Sequence, residues 1–291
     1  MNPFDIPHDL LAELVRRALR EDIGDGDRTV MTLIPAQAHA HARIITREAA
    51  VIAGAPVAAA VFAAVDPTLT VQVLVAEGDH VAANTPLLTL SGNARSILMG
   101  ERVALNLMQR MCGIATHTAA FVAAVAGLPA RILDTRKTTP GLRVLEKYAV
   151  RMGGGMNHRF GLYDAIMIKD NHLALLRGQG LSLSAIVQQA QDRTSPFVVV
   201  EVEVESVEQA LEAADAGADI ILLDNMPPDQ MREAVGLLGG RVPLEASGGI
   251  TLATIRAVAE SGVDYISVGG LTHSVRSIDL SLELEAVQGI T

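Results

Sequence analysis

The chain has only three lysines, Lys137, Lys147 and Lys169, against twenty arginines, and all three fall in one basic stretch. From Arg95 to Lys169 there are eleven Arg or Lys and four Asp or Glu, inside a protein whose formal net charge is −10. An acidic protein with one basic segment is poorly suited to general nucleic-acid binding and well suited to a local pocket for anions. Lys147 lies in a helical pattern and reads as structural. Lys137 and Lys169 stand where apolar runs end. With Arg102, Arg136, His158 and Arg159 they make a candidate cationic set: arginine grips carboxylate or phosphate with two parallel N–H bonds, and lysine acts as a compact charge. Arg136 and Lys137 are successive residues closing an extended run, so they point to opposite faces and need not serve one ligand. Gly153-Gly154-Gly155, before His158, is a loop able to fold tightly around a ligand. The competing reading is internal salt bridging to Asp134, Glu146, Asp164 and later acids.

Acids and glycine turns supply the other half of a site. In Val200-Glu201-Val202-Glu203 the two glutamates share one face of a strand, and carboxylates there are costly without partners or a task. Glu203 and Asp224, ending successive apolar runs, offer oxygen donors of the kind magnesium takes beside substrate phosphates. Ser247-Gly248-Gly249, before a helix expected to start at Thr251, and Gly269-Gly270, before His273, are two successive candidate phosphate turns. The histidines lack zinc-ligand spacing, HExxH is absent, and no Gly-x-Ser-x-Gly elbow occurs, so zinc and serine hydrolysis are not expected.

Such residues must be held by a scaffold, and the hydrophobic periodicity supplies one. From Arg131 onward short apolar runs (RILDTRK, DAIMIKD, FVVVEVE, DIILLDN, VPLEASGG, DYISVGG) alternate with helical patterns near 142–152, 182–193, 206–217, 227–238 and 251–261. Near-continuous apolar strands separated by helices imply a buried parallel sheet. Six strands are clear and a seventh is open. Each ends in a residue able to do chemistry, which in a barrel would line one mouth. No strand is followed by Gly-x-Gly-x-x-Gly, which favours a barrel over an open dinucleotide-binding sheet. Upstream, 7–21 reads as a helix, and 38–53 and 69–92 as strands with turns. The 69–92 piece looks like a lipoyl-type hammerhead without a lysine, so it cannot carry biotin or lipoate. A helix from Arg95 to Ala126 is expected to be interrupted near Gly113.

Composition sets the outer limits. With 291 residues, 49% of them hydrophobic, the chain can bury a proper core. The apolar run Ala49–Val65 is mostly alanine, is broken by Gly54 and Pro56, and is too short to span a bilayer. One cysteine, Cys112, cannot form an internal disulfide or a thiolate metal site. MNPFDIPHDL has neither a basic start nor an apolar segment of the export type, so a cytoplasmic protein is expected.

The strings EDIGDGDRT, GERVALNLMQRMCGIAT, LDTRKTTPGLR, GGGMNHRFGLYDAIMIKDNH, EVEVES, IILLDN, EASGGI and SVGGLTHS occur in that order from Glu21 to Ser274. Together they resemble the quinolinate phosphoribosyltransferases, also called carboxylating nicotinate-nucleotide pyrophosphorylases. LDTRKTTPG and the NHRFGLYD…IKDNH block are the specific ones. The resemblance implies an N-terminal α/β sandwich over 1–112, completed by 275–291, and an open, seven-stranded TIM-like α/β barrel over 113–274. It implies transfer of phosphoribose from phosphoribosyl pyrophosphate to quinolinate, giving nicotinate mononucleotide, pyrophosphate and carbon dioxide in NAD biosynthesis. It also implies a magnesium-using homodimer in which Arg102 enters the partner's site. Arg102, Arg136, His158, Arg159 and Lys169 would then hold quinolinate. Lys137, Glu203 and Asp224 would serve phosphoribosyl pyrophosphate and magnesium. Ser247, Gly248, Gly249, Gly269, Gly270 and His273 would bind the 5-phosphate. The rivals are a paralogue using another base, such as a protein associated with molybdenum transport, a non-catalytic phosphate-metabolite scaffold, and a purely structural oligomer.

Overall fold

The structure, a computed structural model, describes residues 6–286. The described residues divide into two compact units: 6–119, 139–154 and 274–286, and 120–138 and 155–273. Residues 1–5 and 287–291 of the expected sandwich domain lie outside the described residues. In chain order come α1 (His8–Ile23), α2 (Arg28–Leu33), β1 (His39–Thr46), β2 (Ala50–Val51), α3 (Ala55–Val65) and β3 (Thr70–Val73). Next are β4 (His80–Val81), β5 (Pro86–Asn93), α4 (Ala94–Ala124), β6 (Arg131–Leu133), α5 (Arg143–Met152) and β7 (Ile166–Ile168). Then follow α6 (Asp170–Arg177), α7 (Leu183–Asp192), β8 (Val200–Val204), α8 (Val207–Asp215), β9 (Ile220–Asp224) and α9 (Pro228–Leu238). The order ends with β10 (Leu244–Ser247), α10 (Ile255–Ala259), β11 (Tyr265–Ser267), α11 (Gly270–His273) and β12 (Leu280–Ala286).

In the first unit an antiparallel sheet runs β12-β1-β5-β3, and β2 pairs with β4. The first six residues of β1 alternate exposed and buried, turning Ala40, Ala42 and Ile44 inward. Those side chains join Phe62 of α3, Leu88 and Leu90 of β5, and Ile97 and Met108 of α4 in one apolar core. The N-terminus of α3 is closed by Glu77, which accepts from the backbone N–H groups of Gly54 (2.7 Å) and Ala55 (2.9 Å). A carboxylate there also meets the positive end of the helix dipole. The expected break near Gly113 is absent, and α4 runs unbroken for 31 residues. A Cβ on Gly113 would lie 2.3 Å from the carbonyl oxygen of Arg276. The glycine therefore serves close packing of the returning chain, not a kink.

The second unit is built on a wholly parallel sheet, β6-β11-β10-β9-β8-β7. Ile132, Ile168, Val202, Ile221, Ala246 and Ile266, one from each strand, are all buried, as near-continuous apolar runs require. Six strands are paired where seven were expected; beside β6, Met156 makes a single parallel bridge to Leu133. The glycine run ahead of Met156 has little strand propensity, which limits that position to one bridge. Strand β6 also stops at Leu133, short of the expected Arg136 and Lys137, which sit in the following loop. The helix expected from Thr251 begins at Ile255 and is only five residues long.

Candidate active site

The carboxyl ends of these strands open on one cavity of about 840 Å³ within the second unit. Arg136, Lys137, His158, Arg159 and Lys169 line it. The acids Glu203 and Asp224 line it too, as do Ser247, Gly248, Gly249, Gly269, Gly270 and His273. Arg102 does not. It lies on α4 of the first unit with its side chain 59% exposed and a guanidinium nitrogen 3.9 Å from Glu101. Gly153, Gly154 and Gly155 are also absent from the lining. A Cβ on Gly153 would meet the Ala115 carbonyl oxygen at 2.4 Å, and Gly154 has φ +83°, so these two residues serve packing and a turn.

On the cationic side the segment 157–159 is fixed from three strands. Asp134, just past β6 and fully buried, accepts from Asn157 Nδ2 (2.7 Å) and from the His158 backbone N–H (2.8 Å). The Arg159 backbone N–H donates to His158 Nδ1 at 2.7 Å. The ring hydrogen therefore sits on Nε2, which faces Glu201 of β8 (3.3 Å) and Glu245 of β10 (3.5 Å). These three ligand atoms are close enough to surround a cation, but an Nε2 carrying hydrogen donates and does not ligate. Burial, helped by the charge of Glu201, pushes the Glu245 carboxyl up to about 7, and His158 opposes that rise. Burial and the neighbouring Arg136 charge lower Arg159, while Glu201 and Asp164 support its charge. The Arg159 fork is held by the Ala165 carbonyl (2.9 Å) and Met167 Sδ (3.6 Å).

The internal salt bridging weighed from sequence is present only in part. Lys169 pairs with Glu203 across the cavity wall. Glu146 is taken by Arg110 of the same unit, and Asp164 accepts from the Phe160 backbone N–H at 2.7 Å. Asp224 accepts from the side-chain amide of Asn225 at 2.7 Å. Asn225 has a left-handed backbone, φ +55°, and its N–H donates to the Ser247 carbonyl (2.9 Å), which ties the ends of β9 and β10. Gly248, φ +97°, could not carry a Cβ here, since it would lie 2.2 Å from Asn225 Oδ1. A Cβ on Gly269 would come 2.8 Å from Lys137 Cδ and 3.2 Å from His273 Nε2. The glycine thus lets the lysine stem and the imidazole converge on a bare stretch of backbone. Thr272 Oγ1 holds the Lys137 carbonyl at 2.8 Å, anchoring that loop from the far side.

Three contributors escaped the sequence reading: Glu245 in the buried cluster, Asn225 beside Asp224, and Met167 under Arg159; Asp134 was named there only as a salt-bridge partner, and instead anchors 157–158 by hydrogen bonds. A signal existed for Glu245. In VPLEAS it is a lone acid within an apolar run, and a central strand does not bury a carboxylate without a partner.

The family model for the quinolinate phosphoribosyl transferase N-terminal domain matches residues 27–112, and that for the C-terminal domain matches residues 114–283. A Bacillus subtilis protein named "probable nicotinate-nucleotide pyrophosphorylase [carboxylating]" is 44% identical over 277 residues, covering 95% of this chain and 94% of its own. A mitochondrial quinolinate phosphoribosyltransferase [decarboxylating] 2b of Nicotiana tabacum is 42% identical over 291 residues, covering 94% of this chain and 82% of its own. The solved nicotinate-nucleotide pyrophosphorylase of Francisella tularensis superposes with a TM-score of 0.90 at 40% identity, covering 97% of this chain and 98% of that one. The order of motifs along the sequence, the matches to both family models, the relatives and the solved structure agree: the chain belongs to the quinolinate phosphoribosyltransferase family.

Proposed function

We propose that this protein transfers the phosphoribosyl group of phosphoribosyl pyrophosphate to the ring nitrogen of quinolinate, with loss of carbon dioxide. One observation carries this reading: a single cavity is lined by the cations Arg136, Arg159 and Lys169 together with Glu203, Asp224 and two glycine turns. Two polyanions that repel each other must meet, and fixed cations in a site of reduced dielectric offset that repulsion. Arg136, Arg159 and Lys169 suit the two carboxylates of a pyridine dicarboxylate, with His158 at their base. Lys137, resting on Gly269, suits the pyrophosphate. The turns at Ser247–Gly249 and Gly269–Gly270, with His273, offer backbone N–H and side-chain donors to the 5-phosphate.

In the reaction the pyridine nitrogen forms a bond to C1 of the ribose as the bond from C1 to the pyrophosphate oxygen breaks, the electron pair leaving with pyrophosphate. Positive charge grows on the ribose ring, where Glu203 and Asp224 can stabilise it. The quaternised ring nitrogen then accepts the electrons of the bond to the adjacent carboxylate, carbon dioxide departs, and a proton replaces it on the ring. The nucleophile belongs to the substrate, so the protein's task is positioning and electrostatics.

Glu203 and Asp224 provide oxygen-only donors on adjacent strands, which fits magnesium, although Lys169 and Asn225 already engage them. Magnesium, when bound there with the substrate, would neutralise the departing pyrophosphate. The reading includes a homodimer with Arg102 reaching the partner's cavity, and a cytoplasmic setting suited to phosphorylated substrates and the lone, buried Cys112. The deciding assay supplies phosphoribosyl pyrophosphate with quinolinate or with nicotinate and follows pyrophosphate release. Turnover with quinolinate is expected; turnover with nicotinate alone would overturn the substrate assignment.

A further inference from the structure

We infer that Glu245, with Glu201, is a positioning residue for recognition of the dicarboxylate substrate, acting through the His158 ring and the segment 157–159. The inference deepens the reading of the cavity as a quinolinate site and rests on it. His158 Nε2 carries one hydrogen, and it stands 3.3 and 3.5 Å from carboxylates on two different strands. One N–H cannot satisfy two carboxylates. Oε1 of Glu201 and Oε1 of Glu245 are buried with no hydrogen-bond partner, and each glutamate is only 2% exposed. Such an arrangement costs stability, and an apolar pair of the same shape would avoid the cost.

What the arrangement supplies is rigidity at one place. Asp134 accepts from the Asn157 side-chain amide and the His158 backbone N–H, the two glutamates face the ring, and the ring accepts the Arg159 N–H. Arg159 is thereby aimed from a segment pinned by β8, β10 and the end of β6. Its side chain is stayed in turn by Ala165 and Met167. A bidentate contact to a planar carboxylate tolerates little misplacement, so loss of the ring's anchor should appear in affinity for the dicarboxylate.

The test uses phthalate, a dicarboxylate without a ring nitrogen, and measures its dissociation constant by calorimetry on the full-length protein. Glu245→Gln keeps the shape and removes the charge; roughly tenfold weaker binding is expected. Glu201→Gln, measured in parallel, should behave alike and guards against one variant failing to fold. The decisive arm is the double variant of Glu245→Gln with His158→Ala. If the glutamate acts through the ring, the double variant binds no more weakly than His158→Ala alone. Fully additive losses, or unchanged affinity in both folded glutamine variants, overturn the inference while leaving the substrate assignment in place. No phthalate binding to the unaltered protein overturns both.

Discussion

At the scale of single residues, the cavity mixes groups whose role follows from type with groups whose role follows only from their neighbours. Lys137, Glu203 and Asp224, which all line the cavity, stood out in the sequence because a charged residue closing an apolar run has few reasons to be there. Glu245 was not, because its partner His158 is 87 positions away and on another element. Its environment nevertheless has a measurable consequence. The ordinary value of about 4.5 is raised to about 7, first by burial, then by the Glu201 charge and, less, by Asp134, while His158 and the Ser267 hydroxyl oppose the rise. Between those two values the folded chain holds a proton that the unfolded chain has released. The stability to unfolding contributed by this group is therefore greatest at low pH, falls as pH climbs through the interval, and levels off above about 7. Glu245→Gln resembles the protonated carboxyl at every pH. Thermal melts across the interval should show a flatter profile for the variant than for the parent chain, and parallel profiles would reject the raised titration.

At the scale of elements, the period of the hydrophobic pattern was enough for the parallel sheet, and five of the expected helices appear close to their expected bounds. The failures share a cause. The break near Gly113, the glycine loop around a ligand and the helix at Thr251 were each read from glycine or from a short run, where local sequence does not say what the chain will pack against. The structure resolves the ambiguity at two positions with opposite signs. Gly113, mid-helix in α4, faces a carbonyl oxygen 2.3 Å from where its Cβ would lie. Gly236, in the last turns of α9, has nothing within 4 Å. Gly113→Ala should therefore cost about 1–3 kcal/mol through overpacking against Arg276. Gly236→Ala should add roughly 0.4–1 kcal/mol by restricting the unfolded chain. Denaturant midpoints for the two variants check this directly; shifts of the same sign would show that helix propensity, not the space around each glycine, decides.

At the scale of the whole molecule, the charge pattern poses the remaining question. The chain is acidic overall, with a basic segment that supplies every cation of the cavity and also Arg102, which lines no part of it. The Arg102 side chain is more than half exposed, and its distance of 3.9 Å to the neighbouring Glu101 makes a weak contact. An arginine left this way on a helix is available to a second copy of the chain, and a symmetric dimer would give each cavity one such visitor. The proposal can be separated from an Arg102 that works within its own chain. Arg102→Ala and Arg136→Ala should each abolish most turnover when alone. In a mixed dimer, the cavity of the Arg102→Ala chain keeps its own Arg136 and receives an intact Arg102 from its partner, whereas the other cavity loses both. Random mixing puts half the dimers in that state with one working cavity each, so roughly a quarter of the parent activity should return. If Arg102 served its own chain, every cavity in the mixture would carry one defect, and co-expression would restore nothing.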